Sequence, residues 1–177
     1  NFAKTRRQGV DLSAYTRISQ VDLRISYSYL HATYQADAEL FGGEREIDIK
    51  SGARIAGLPA HTLKLSANWQ ALPKMTVGGT MIAAASQVTQ GNEDGQTEAG
   101  AANARVGGYA LLNLHAEYEA QKGLEYFARI SNVFDTRFAT YGLMANSYYN
   151  AAGVLSDPVT SRFVAPGAPR ALMVGLR

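Results

Sequence analysis

The chain has 177 residues, 46% of them hydrophobic, with a mean hydropathy of -0.16 and no cysteine. A disulfide framework and a thiolate metal site are excluded, and no apolar run approaches the ~20 residues that a membrane-spanning helix needs. Seventeen basic against 15 acidic residues leave a net charge of +2, and the only basic cluster is "RR" at 6 and 7, so there is no electrostatic footprint for nucleic acid.

The predicted elements, taken in chain order, are all strands. "QGVDLSAYT" (8 to 16) opens the series with an imperfect alternation. "VDLRISYSYLHATY" (21 to 34) follows the rule closely, with Val21, Leu23, Ile25, Tyr27 and Tyr29 on one side and Asp22, Arg24, Ser26 and Ser28 on the other. Successive side chains of a strand point to opposite faces, so such a segment has one apolar and one polar surface. "HTLKLSANW" sets Leu63, Leu65, Ala67 and Trp69 against Thr62, Lys64, Ser66 and Asn68. "KMTVGGTMIAAAS" (74 to 86) is looser. "YALLNLHAEY" sets Ala110, Leu112, Leu114, Ala116 and Tyr118 against Asn113, His115 and Glu117. "LEYFARIS" sets Leu124, Tyr126, Ala128 and Ile130 against Glu125, Arg129 and Ser131, with Phe127 breaking the polar set. "RALMVGLR" (170 to 177) closes a series of seven strands with no helix.

The punctuation agrees with this reading. The prolines at 59, 73, 158, 166 and 169 all fall outside the seven segments, as expected where amides are committed to ladder hydrogen bonds. Short connections (17 to 20, 71 to 73, 120 to 123) alternate strictly with long ones (36 to 60, 89 to 107, about 143 to 167). An up-and-down sheet whose two ends differ in this way is the pattern of an outer-membrane β-barrel, with short periplasmic turns and long extracellular loops.

Strand length points the same way. Drawn from Ser19 to about Gln35, the second strand reaches roughly 50 Å at ~3.3 Å per residue, far beyond a common globular strand. Aromatics gather toward strand ends, at Tyr27, Tyr29, Tyr34, Trp69, Tyr109, Tyr118, Tyr126, Phe134, Phe138 and Tyr141, where a membrane barrel places its interfacial girdles. Val21, Leu23, Ile25, Tyr27 and Tyr29 are therefore expected to face lipid, and Asp22, Arg24, Ser26 and Ser28 a wet or plugged lumen. Seven strands cannot close a bacterial barrel, which takes an even number from eight upward, so the sheet is expected to be part of a larger one.

Other chemistry finds little support. His31, His61 and His115 are widely separated and have no metal-ligand spacing. "NEDGQTE" (92 to 98) lacks the alternating oxygen ligands of a calcium loop and reads as a solvated turn. No catalytic carboxylate pair or G-x-S-x-G elbow is found, so neither an enzyme nor a cofactor is expected. The Asn132 to Asp135 segment is expected to shape the rim, since Asn and Asp bond locally to a bent strand.

In order and spacing, "TRRQGVDL" (5 to 12), "ISYSYLHATY" (25 to 34), "IAGLPAHTLKLSANW" (55 to 69), "GNED" (91 to 94), "GGYALLNLHAEY" (107 to 118), "YFARISNVFDTRFATYG" (126 to 142) and "PGAPRALMVGLR" (166 to 177) resemble the C-terminal part of the barrel of TonB-dependent outer-membrane receptors. The most specific pieces are "NVFD" followed by an aromatic and the closing "PGAPR" strand. The sequence departs from the family in ending at Arg177 rather than on an aromatic residue, and residues 1 to 177 contain no counterpart of the plug domain or the energy-coupling box. The resemblance implies an all-β, antiparallel, up-and-down transmembrane β-barrel, here seven C-terminal strands of about 22.

It also implies a function: active uptake of a scarce nutrient, a ferric siderophore first of all, across the outer membrane of a Gram-negative bacterium. The implied partners are the bilayer with its lipopolysaccharide, the ferric siderophore, and the TonB complex through an N-terminal segment outside this sequence. Recognition belongs on loops held by a rigid scaffold, so Tyr148, Tyr149 and Arg162 of the last long loop are the expected ligand contacts. Two alternatives stand beside this reading: a self-sufficient small outer-membrane barrel acting as a pore or structural protein, and a soluble β-module that binds a saccharide.

Overall fold

Three two-residue turns join long strands at one end of the molecule: Ile18 pairs with Val21, Leu72 with Met75, and Gln121 with Leu124. Turns this short dictate neighbouring antiparallel strands, and two of the three use a residue at positive φ, Ser19 (φ 56°) and Gly123 (φ 84°). The computed structural model describes residues 4–41, 46–95 and 105–177. Its strands are β1 (Thr5–Ile18), β2 (Val21–Tyr34), β3 (Ala38–Phe41), β4 (Glu46–Ile49), β5 (His61–Leu72), β6 (Met75–Ala84), β7 (Gln87–Val88), β8 (Arg105–Val106), β9 (Tyr109–Gln121), β10 (Leu124–Ser131), β11 (Ala139–Tyr149), β12 (Leu155–Pro166) and β13 (Ala171–Leu176). No helix occurs among the described residues.

The seven expected strands form one antiparallel sheet in the order β1-β2-β5-β6-β9-β10-β13, an up-and-down wall whose edges are β1 and β13. The register fixes its faces, because directly paired residues share a side. One face carries Leu12, Tyr27, Leu63 and Ala83 in a row, then Ala14, Ile25, Leu65, Met81 and Leu112, then Thr16, Leu23, Ala67, Gly79, Leu114 and Ile130. No Asp, Glu, Lys or Arg stands on this face between the Tyr29 row and the Trp69 row. Val21 to Tyr29 spans about 26 Å along the strand, or about 20 Å when tilted as barrel strands are, which suits an apolar band. A hollow of about 540 Å³ lies among Leu23, Ile25, Leu65, Met81 and Leu112, where Ala67 and Gly79 leave room. Thr16 is the one polar side chain of this face that borders it, and no charged group of this face does, so the hollow is a dent in a lipid-type surface.

Trp69, Tyr118 and Tyr126 border the band at the short-turn end, and Tyr27 and Tyr29 at the other. Four of the expected girdle aromatics lie elsewhere, Tyr141 among the hairpins at the long-connector end. Tyr34 is buried under a loop, and Tyr109 and Phe138 pack on each other with ring centroids 4.7 Å apart.

The opposite face is polar and hydrogen-bonded across strands. Tyr15 donates to Asp22 Oδ1 at 2.6 Å, Ser28 donates to Asp11, Ser66 and Thr80 share a bond of 3.2 Å, and Arg24 lies 5.2 Å from the Tyr15 ring centroid. Near the short turns Arg177 pairs with Glu125 at 2.7 Å and Arg129 with Glu117 at 3.4 Å. Phe127 faces this side too: its ring covers Gly175 of β13, where any Cβ would come within 2.5 Å of it.

The long connections are not plain loops. Each contains a hairpin: β3–β4, β7–β8 and β11–β12. The seven expected strands contain no proline, whereas β12, which lies outside them, contains Pro158 and ends on Pro166. β12 pairs only with β11, and its register slips between Ser147 and Tyr149, so Pro158 withdraws no donor from a continuous ladder.

Candidate functional site

The three hairpins gather at the long-connector end, and each is fastened differently. β2 overruns the wall, and residues 53 to 55 lie along it: the amide of Tyr34 donates to the Ala53 carbonyl at 3.0 Å and that of Ile55 to Ala32 at 3.1 Å. Behind this join Tyr34, Ile47 and Ile49 form a small buried core with Leu40, Ala53 and Ile55 against it. Alternation in β4 drives this, since Ile47 and Ile49 point in while Asp48 points out. Asp48 and Asp37 both meet Lys50, at 2.8 and 3.8 Å, and the Asp48 hydrogen bond holds the lysine above its ordinary pKa.

The second and third hairpins clasp each other. Gln90 pairs in parallel with Leu143; its amide donates to the Gly142 carbonyl at 3.0 Å, and the Met144 amide donates back at 2.8 Å. The Gln87 side chain donates to the Thr140 carbonyl at 2.8 Å. Close approach requires glycine at 142, where a Cβ would stand 2.6 Å from Val106 Cγ2. Next to the clasp Gly91 adopts φ 82° and donates its amide to Glu93 Oε2 at 3.0 Å.

A cleft of about 340 Å³ opens between the first hairpin and this clasp. Leu40, Ile47, Leu143 and Met144 supply its apolar wall, and Gln90, Glu93 and Tyr141 its polar groups. Tyr141 donates its hydroxyl to Gln90 Oε1, which fixes both side chains at the rim. Apolar walls with a few placed polar groups suit a bulky ligand held without covalent chemistry. Among the described residues no group of three His, Asp or Glu is placed to hold a metal ion. Of the acid-rich stretch 92 to 98, residues 92 to 95 form a turn, and 96 to 98 lie outside the described residues.

Tyr148 and Tyr149 sit at the tip of the β11–β12 ribbon, 50% and 63% exposed. Arg162 lies opposite Met144, about 13 Å down the strand from Tyr148 at ~3.3 Å per step, and donates to the Arg105 carbonyl. The three expected contacts thus do not converge, and none lines the cleft. Gln90, Glu93 and Tyr141 escaped sequence reading. Glu93 lay in a stretch read as a solvated turn and Tyr141 among the girdle aromatics; the glycine at 91, beside a strand end, was the one local signal.

The family model "TonB dependent receptor-like, beta-barrel" matches residues 1–133. The chain belongs to the TonB-dependent receptor β-barrel family. No curated protein matches it. Among solved structures it is similar to the siderophore receptor PiuA from Acinetobacter baumannii, at 15% identity and TM-score 0.74 over 97% of this chain and 21% of that one. It is similar to the closed form of the ferric-catecholate import receptor Fiu from Escherichia coli K12, at 19% identity and TM-score 0.67 over 99% and 21%. The ferric yersiniabactin uptake receptor FyuA from Yersinia pestis matches at 18% identity and TM-score 0.68 over 97% and 23%. At these identities the likeness is one of fold. The chain spans about a fifth of the length of these receptors, and its sheet corresponds to part of a TonB-dependent barrel wall.

Proposed function

We propose that residues 1 to 177 are the C-terminal wall of an outer-membrane receptor that imports a scarce, bulky nutrient, first of all a ferric siderophore, with energy delivered through TonB to a plug outside this sequence. The observation that carries the reading is the asymmetry of the wall. A charge-free apolar band is bordered at one end by two-residue turns and at the other by three hairpins, two of them clasped together, that frame a cleft. Capture at that end and passage along the polar face need only binding groups, so no covalent step is assigned to any residue. Of the named neighbours PiuA is a siderophore receptor, Fiu a ferric-catecholate import receptor and FyuA a ferric yersiniabactin uptake receptor, which favours iron cargo over other nutrients.

The test is uptake of radioactive iron, presented on a panel of siderophores, by iron-starved cells of the source bacterium with and without the gene. Loss of uptake for one siderophore, reproduced by deleting TonB, is the expected result. Uptake that survives loss of TonB would remove the energising step, and an unchanged panel would remove the iron cargo.

A further inference from the structure

The cleft between the first hairpin and the clasp is uneven in charge. Its lining includes Glu93, and among the described residues no lysine, arginine or histidine lines it. Basic side chains are present at this end of the molecule, but their contacts lie elsewhere. Lys50 is held by Asp48 at 2.8 Å and by Asp37 at 3.8 Å. Arg105 donates through Nε to Ser86 Oγ at 3.1 Å and through Nη2 to the Ser86 carbonyl at 3.0 Å, and Arg162 donates to the Arg105 carbonyl. These two arginines thus brace the second and third hairpins.

Glu93 is placed by the backbone beside it. Gly91, at φ 82°, turns the chain where a side chain would be strained, and its amide donates to Glu93 Oε2 at 3.0 Å. The charge of Glu93 also reaches the core of the first hairpin: burial first, and then that charge, hold the Tyr34 hydroxyl above its ordinary pKa. The carboxylate therefore stands where the clasp meets the first hairpin, the two sides of the cleft. Phe41, 77% exposed, and Tyr141 put aromatic rings on the same lining, and Gln90 adds a neutral polar group. A carboxylate beside aromatic rings attracts a cation, by its own charge and by the negative ring faces, and repels an anion. A strongly anionic chelate would meet Glu93 with no cationic side chain in the described lining to offset it.

We propose that the cleft takes an ammonium-bearing flank of a ferric hydroxamate-type chelate, and that Glu93 sets this charge preference. The inference rests on the reading of the cleft as the capture site and deepens it, since it separates this chain's cargo from an anionic ferric catecholate. The test uses the complete receptor carrying this chain, purified in detergent, and one chelate scaffold in three charge forms. Ferrioxamine B carries a free ammonium, its N-acetyl derivative no charge, and its N-succinyl derivative a carboxylate. Ferric enterobactin, triply negative, is the fourth probe, and equilibrium dialysis of radioactive iron gives the four affinities. The wild type is expected to bind the ammonium form about tenfold more tightly than the acetylated form and about a hundredfold more tightly than the succinylated one. In E93Q, where glutamine keeps an oxygen for the Gly91 amide and loses only the charge, the three forms are expected to fall within about threefold of one another.

Equal affinities for the three forms, or tightest binding of the succinylated form or of ferric enterobactin, overturn the charge preference on the wild type alone, without needing any variant to fold. They leave capture of a ferric chelate in place. An undiminished ranking in a folded E93Q overturns the role of Glu93. Binding of none of the four chelates removes the capture reading beneath the proposal, and the proposal with it.

Discussion

The side-chain amide of Asn132 donates to the carbonyl of Ala168 at 3.1 Å, joining the end of β10 to the start of β13. The same side chain donates to the Thr136 carbonyl at 3.0 Å and accepts the Thr136 amide at 2.9 Å, while the Asn132 amide donates to Asn113 Oδ1. Asp135 continues the tie by accepting the amide of Arg170 at 2.9 Å. Here the chain leaves the wall for the β11–β12 ribbon and returns to it, which is how β13 comes to pair with β10 across a long insertion.

Asn132 is 4% exposed and adopts φ 50°, where asparagine is tolerated and alanine is not. Asn132→Ala loses three side-chain hydrogen bonds and adds backbone strain, for a destabilisation of about 3 kcal/mol, and Asn132→Gly, which relieves the strain alone, about 1 kcal/mol less. Urea midpoints of the purified receptor in detergent measure both. Equal midpoints for wild type and N132A would show that the tie contributes nothing.

Gly9 approaches β2 so closely that a Cβ would lie 2.1 Å from the Tyr29 carbonyl oxygen. Because the obstacle is backbone, the strands themselves must part. Gly9→Ala is expected to cost about 1 to 3 kcal/mol. Lowered temperature of the shift in heat-modifiable electrophoretic mobility checks it, and no change would mean that β1 is free to move.

Leu65 and its neighbour Ser66 face opposite ways near the middle of the wall, Leu65 beside Ile25 and Met81 and Ser66 beside Arg24 and Thr80. Leu65→Arg is expected to destabilise the membrane-inserted barrel by about 2 to 4 kcal/mol and Ser66→Arg by about 1 kcal/mol or less. Unfolding titrations in lipid vesicles give both values. Reversed costs would exchange the lipid and lumen faces.

Tyr141 lines the cleft, whereas Tyr149 lies at the ribbon tip. Tyr141→Ala is therefore expected to weaken capture of the cargo about tenfold and Tyr149→Ala about twofold or less, since Tyr141 is held in place at the cleft by Gln90 whereas Tyr149 is 63% exposed. Binding of the siderophore identified by uptake to whole cells measures the ratio. A larger effect at Tyr149 would return recognition to the ribbon tip and place Tyr148 with it.

The sequence by itself determined the wall. Alternation with a period of two, uninterrupted through Val21 to Tyr29 and again through Leu63 to Trp69, specifies strands and their faces because each side chain's direction depends only on its own backbone. The two-residue turns at Ser19, Pro73 and Lys122 specified the order of neighbours for the same local reason. Tertiary structure alone decided the other end. Neither the parallel join of Gln90 to Leu143 nor the cleft shared by Ile47, Glu93 and Tyr141 has a signature in any one segment, since each brings together residues far apart in the chain. Tyr148, Tyr149 and Arg162 were plausible as loop residues, but which loop residues converge depends on how the hairpins lean on one another. That is set by long-range packing around Ile47, Ile49 and Gly142, and periodicity along a strand contains no term for it.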